Sequence, residues 1–178
     1  NNGSHQDMDH ALFLRSIAAI TPWFSVFEQA GREHAHKAAG VQLRLLRPAG
    51  IACEQAMFAA TGGVNTHKGG IFSLGLLCFA AGRLQGQRRP LQAETLCRQV
   101  SEICRGLVAR ELAARPQSVT AGEKQFLEYG LTGARGEAEQ GFATVRRAVL
   151  PFWHQEQGER RLQHALLRLM AANPDSNL

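Results

Sequence analysis

Apolar positions recur at helical spacing almost from the start of this chain. Phe13, Ile17, Ile20, Phe24 and Phe27 alternate four- and three-residue steps, which places them on one helix face. Thr21-Pro22 falls inside that run. It predicts either a kink or a fresh start, with Thr21 as cap and Pro22 in the first turn. A second helix is expected over 48–60, opening at Pro48 and stopped by Thr61-Gly62-Gly63. The third, over 70–83, is apolar on nearly all sides and is predicted to be the central buried helix. A fourth is expected over 92–114, with Leu96, Val100, Ile103, Leu107 and Leu112 inward. Thr120-Ala121-Gly122-Glu123 has the form of a capping box opening a fifth, and helices near 137–156 and 159–172 follow. No convincing run alternates with period two. The fold expected is all-α, a single multi-helical globular domain over 1–178.

Composition changes this picture little. The chain has 178 residues and a net charge of +5, from 20 Lys+Arg against 15 Asp+Glu. Lysine is confined to Lys37, Lys68 and Lys124, so arginine carries nearly all the positive charge. Arginine suits bidentate phosphate recognition. The same bias also follows from the codon usage of a GC-rich genome. The basic residues are dispersed and make no continuous basic helix face, so no nucleic-acid partner is expected. Cys53, Cys78, Cys97 and Cys104 form no CxxC pair and lie in apolar, helical contexts. They are expected to be reduced, small buried hydrophobes in a reducing compartment. The longest apolar run, 71–81, is too short to span a bilayer, and no stretch has the form of a signal peptide. A cytoplasmic protein without a membrane partner is expected.

Candidate chemistry concentrates in a few stretches. In "GGVNTHKGG", residues 62–70, a lysine stands just where the apolar third helix begins. There it meets the positive end of the helix dipole, a cost on the order of 0.3–1 kcal/mol. A bound anion would reverse that sign, since the first turn also offers unpaired N–H groups. Asn65 or Thr66 can cap the helix, Gly69 and Gly70 let a ligand approach the backbone, and His67 and Lys68 add donors. The spacing is not that of a P-loop. A glycine-rich loop between buried helices is the alternative.

A second stretch, "LTGARGEAEQGF" over 131–142, sets Arg135, Glu137 and Glu139 among glycines. It is either a turn leading into a helix with acidic residues in its first turn, or Arg135 on a phosphate with a carboxylate on a metal or a developing cation. Asp7 and Asp9 lie near one end of the sequence and Asp175 near the other. Such oxygen ligands suit Mg²⁺, which takes one or two carboxylates plus substrate phosphates, or they serve as helix caps. Glu54 is the one carboxylate in an otherwise apolar helix and needs a partner, structural or functional.

Together these stretches resemble one family. "RPAGIACEQAMFAATGGVNTHKGGIFSLGLLCFAAGRL", "CRGLVARELA" and "YGLTGARGEAEQGF" are similar to the triphosphoribosyl-dephospho-CoA synthases. The opening "NNGSHQDMD" and closing "LMAANPDSNL" match in order, so on this resemblance Gly3-Ser4-His5 is expected to be native sequence rather than a tag scar. The resemblance implies an all-α transferase that moves the triphosphoribosyl unit of ATP to the 2′-hydroxyl of 3′-dephospho-CoA, with release of adenine. Its product would be the prosthetic-group precursor of citrate lyase. It would pass to a separate transferase that loads an acyl carrier protein subunit. The alternatives are the same reaction serving malonate decarboxylase, or an inactive nucleotide-binding fragment. Family members are longer at both ends, so the chain is expected to be a piece of a longer one.

Breaking an N-glycosidic bond builds positive charge on the ribose. On that chemistry Asn65, Thr66, His67, Lys68, Gly69 and Arg135 are expected to hold phosphates. Mg²⁺ would bridge them to Glu137 with Asp175 or Asp7, and Glu54 or Glu139 would face the ribose or act as base.

Overall fold

The protein is described by a computed structural model over residues 7–113, 126, 128 and 132–172. Among these residues all regular structure is helical, as the periodicity predicts. The chain divides into two compact units, Asn1–Ile103 and Cys104–Leu178.

The first unit is built on α1 (His10–Glu33), α2 (Ala39–Thr61) and α3 (Lys68–Gly86), with α4 (Ala93–Cys104) reaching its boundary. Asp9 caps α1, its Oδ1 accepting the Leu12 N–H at 2.7 Å. α1 continues unbroken through Pro22, and the Thr21 hydroxyl donates back to Ile17 O at 2.7 Å instead of capping a new helix. The buried stripe of α1 is Ser16, Ile20, Phe27 and Gly31. Phe13 and Ile17, expected inside, stay exposed.

α1 packs along both α2 and α3. It meets α3 backbone to backbone. A Cβ on Gly31 would lie 2.0 Å from Phe79 O, and one on Gly82 would lie 1.8 Å from Glu28 O, so only glycine fits at either contact. α3 buries Ile71, Leu76, Phe79, Ala80 and Leu84, as expected of the most apolar helix. By length and hydropathy α1 could cross a membrane, a test that the shorter run over 71–81 fails. In this fold it is the helix on which α2 and α3 pack.

α2 corrects the expected start at Pro48. It begins nine residues earlier, at Ala39, and holds Pro48 in its interior. Gln42 and Leu46 are buried upstream of the proline, in register with Cys53 and Met57 downstream, so packing holds the helix together across the break. Gln42 Nε2 and Arg83 Nη1, both on buried residues, donate to the carbonyls of His34 and Lys37, which ties down the turn between α1 and α2. The predicted stop is found. Gly62 is left-handed at φ 64°, and the Gly62 and Gly63 N–H groups both return to Phe58 O.

The single helix expected over 92–114 is broken where the first unit ends and the second begins. α4 ends at Cys104, Gly106 turns the chain at φ 72°, and a π-helical turn follows at Ala109–Ala113. The helix expected near 137–156 is likewise three short pieces: α5 (Gly133–Glu139), α6 (Ala143–Ala148) and a 3₁₀ turn, Leu150–Phe152. The break is the 140–142 turn, where Phe142 adopts φ 55°. α7 (Gly158–Ala172) lies where the last helix is expected. The capping box at 120–123 lies outside the described residues. All four cysteines are free thiols, and Cys53, Cys97 and Cys104 are buried.

Candidate functional site

Three helices converge on the turn between α2 and α3. Asn65 supplies its cap: Asn65 Oδ1 accepts the Lys68 N–H at 3.1 Å, and the Thr66 hydroxyl turns elsewhere. The first N–H donating within the helix pattern is that of Ile71, to His67 O at 2.8 Å. Of the four N–H groups that a helix start leaves over, His67 N donates to Met57 Sδ at 3.2 Å and Lys68 N to Asn65. Among the described residues those of Gly69 and Gly70 have no acceptor and remain for an incoming one. A Cβ at either glycine would touch nothing within 4 Å, so the backbone is open to approach.

Lys68 answers the dipole with a counter-charge. Its Nζ lies 3.3 Å from Glu54 Oε2 of α2. The two side chains are 49% and 28% exposed, so the pair contributes about 0.2–1 kcal/mol at most. Glu54 has thus found the partner its position demands, and both groups keep a face to solvent. Its negative charge adds to burial in raising the neighbouring Cys53 thiol to about 11.

Ser16 is the residue that sequence reasoning missed. Its hydroxyl lies 2.6 Å from Thr66 Oγ1 and 2.7 Å from His67 Nδ1, while Thr66 Oγ1 is 3.1 Å from the same nitrogen. Phe13 stacks on the imidazole, ring centroids 4.1 Å apart at 44°. Burial pushes His67 below its ordinary pKa, towards the neutral form. The one available signal was register: a polar Ser16 sits four residues before Ile20 on the buried stripe of α1.

In the second unit the acidic residues serve the backbone. Glu139 accepts Gly106 N–H at 2.6 Å on one oxygen and Val108 N–H at 2.8 Å on the other. Glu137 accepts the Thr144 hydroxyl on Oε1 and the Thr144 N–H at 3.2 Å on Oε2, which ties down the start of α6. Arg135 pairs with Glu111, Nε to Oε2 at 3.2 Å.

Among the expected site residues, then, Glu54, Asn65, Thr66, His67, Lys68 and Gly69 come together in the first unit. Arg135, Glu137 and Glu139 lie along α5 in the second, where separate partners engage them. Asp7 is exposed, and Asp175 lies outside the described residues. Among the described residues no group of three or more His, Cys, Asp or Glu side chains could hold a metal ion.

The family model for ATP:dephospho-CoA triphosphoribosyl transferase matches residues 1–178. A protein of Albidiferax ferrireducens named probable 2-(5″-triphosphoribosyl)-3′-dephosphocoenzyme-A synthase is 52% identical over the whole of this chain. The synthases of that name from Pectobacterium atrosepticum and Klebsiella pneumoniae are 51% and 48% identical over the same extent. The chain spans 61% of the length of each of these relatives. No solved structure matches it. With its whole length matched and half its residues shared, the chain belongs to the ATP:dephospho-CoA triphosphoribosyl transferase family.

Proposed function

We propose that this chain carries the triphosphate-holding part of a transferase that moves the triphosphoribosyl unit of ATP to 3′-dephospho-CoA. The observation that carries the reading is the start of α3. There one lysine and two open glycine N–H groups of the segment 62–70 meet one carboxylate of α2, Glu54, 3.3 Å from the lysine. A triphosphate at this helix start would take the Gly69 and Gly70 N–H groups and draw Lys68 from Glu54 onto its oxygens. Glu54, released from the ion pair, would be the carboxylate nearest the bound nucleotide. It would steady the positive charge that develops on the ribose, or take the proton of the attacking hydroxyl.

The bond that breaks joins ribose C1′ to the adenine nitrogen, and adenine leaves with the electron pair. The bond that forms joins C1′ to the 2′-oxygen of the acceptor, whose proton passes to a base. Glu137 and Glu139 are less suited to that task, because both oxygens of each already take donors. Mg²⁺ is proposed to arrive with ATP as part of the substrate. Its usual partners are phosphate oxygens and one or two carboxylates, which does not require a cluster of protein ligands.

In this reading the product is the prosthetic-group precursor of citrate lyase, handed to a transferase that loads an acyl carrier protein subunit. Service to malonate decarboxylase is the alternative, and loading each carrier protein in turn distinguishes them. The deciding experiment is adenine release from ATP and Mg²⁺, with and without 3′-dephospho-CoA. Acceptor-dependent release supports the transferase. Nucleotide binding with no release in either condition would replace it with a binding module.

A further inference from the structure

Ser16, Thr66 and His67 close a triangle of two hydroxyls and one ring nitrogen, with edges of 2.6, 2.7 and 3.1 Å. The protons must be shared out within it. Ser16 is fully buried, so its hydroxyl proton has no access to solvent. If His67 Nδ1 accepts, Ser16 donates to Nδ1 and Thr66 donates to Ser16, and both hydroxyl protons are used. If Nδ1 carries a proton, it donates to Ser16 and Ser16 donates to Thr66. The Thr66 proton then leaves the triangle for solvent, to which the half-buried Thr66 is open, since among the described residues no protein group accepts it. Only the first arrangement keeps both hydroxyl protons within the triangle and directs that of buried Ser16 onto the ring. Phe13 packs against the ring, and Met57 Sδ accepts the backbone N–H of His67, fixing the main chain from which the ring projects.

We infer that Ser16 and Thr66 are positioning residues that hold His67 as its neutral Nε2–H tautomer, so that the far side of the ring is a fixed hydrogen-bond donor at the start of α3. The group it would meet is a phosphate oxygen. A neutral donor adds a directed hydrogen bond there without a second cation beside Lys68. That last step rests on the function proposed above, whereas the tautomer does not.

The whole chain, labelled with ¹⁵N-histidine, tests both. Long-range ¹⁵N–¹H spectra at pH 7.5 should show His67 with a bare Nδ1 and a protonated Nε2. Ser16→Ala and Thr66→Val should each convert this to a mixture of tautomers, while Thr66→Ser, which keeps the hydroxyl, should retain it. The other six histidines report whether each variant stays folded. If Ser16→Ala does not fold, the Thr66→Val and Thr66→Ser pair in the turn still decides. Affinity for inorganic tripolyphosphate should fall about 3- to 10-fold in Thr66→Val and recover in Thr66→Ser. A protonated Nδ1 in the wild type would overturn the inference, as would a tautomer indifferent to both hydroxyls. Tripolyphosphate affinity unmoved in Thr66→Val, or no binding by the wild type, would overturn the donor role. Absence of adenine release with the tautomer intact would count against the proposed function alone.

Discussion

At the scale of single residues, Lys68 and Glu54 carry different consequences for stability and for binding. Their ion pair is partly exposed, so Lys68→Ala should change stability by no more than about 1 kcal/mol. A lysine on a phosphate is a charge-assisted contact worth about 1.5–3 kcal/mol, so the same variant should weaken tripolyphosphate binding about 10- to 100-fold by calorimetry. An unchanged affinity removes the phosphate assignment. His67 makes a pH prediction. Burial lowers its folded pKa below the unfolded 6.5, so the unfolded chain binds the extra proton. Its contribution to stability is complete above about pH 6.5 and is lost as pH falls from there towards the lowered folded value. The stability lost between pH 7.5 and 5.5 in urea unfolding should therefore be smaller in His67→Gln. The thiols of Cys53 and Cys104 are raised to about 11 and about 12, chiefly by burial. At pH 8 neither should react with an aromatic disulfide reagent until the chain is unfolded.

At the scale of helices, the α1–α3 contact sets opposite expectations for two glycines. Gly31→Ala must push apart two backbones, since its Cβ would lie 2.0 Å from Phe79 O. It should destabilise by about 1–3 kcal/mol or more. Gly50 lies in α2 with nothing within 4 Å of a Cβ, so Gly50→Ala should stabilise by roughly 0.5–1 kcal/mol. Denaturant midpoints of the two variants shifting in the same direction would contradict this packing.

Local signals were legible in the sequence. Thr61-Gly62-Gly63 stops α2 because a left-handed cap is a property of the glycine itself. What was not legible depends on partners far along the chain. Pro48 looks like a helix start until Gln42 and Leu46 are seen to pack. Nothing beside Glu139 in the sequence announces that its oxygens take the backbone N–H groups of Gly106 and Val108, more than 30 residues upstream. Ser16 looks like an ordinary polar position until Thr66 and His67, 50 and 51 residues on, turn towards it.

At the scale of the whole molecule, the candidate site residues are divided between two units, and their present partners differ in kind. In the first unit Lys68 is held by one partly exposed carboxylate, and the N–H groups of Gly69 and Gly70 lie open. An anion there displaces one weak ion pair and fills groups that lack an intrahelical partner. In the second unit, moving Glu139 onto a ligand would strand two backbone N–H groups, and moving Glu137 would loosen the start of α6. Leaving a donor of this kind unsatisfied costs about 1–3 kcal/mol each, which a ligand would have to offset before gaining affinity. Tripolyphosphate should therefore slow amide hydrogen exchange across Thr66 to Ile71 and leave Gly133–Glu139 unchanged. Protection of both segments would bring Arg135 onto the phosphates, as the chemistry of the reaction leads one to expect. Protection of Gly133–Glu139 alone would move the phosphate site to the second unit and leave Lys68 as no more than the partner of Glu54.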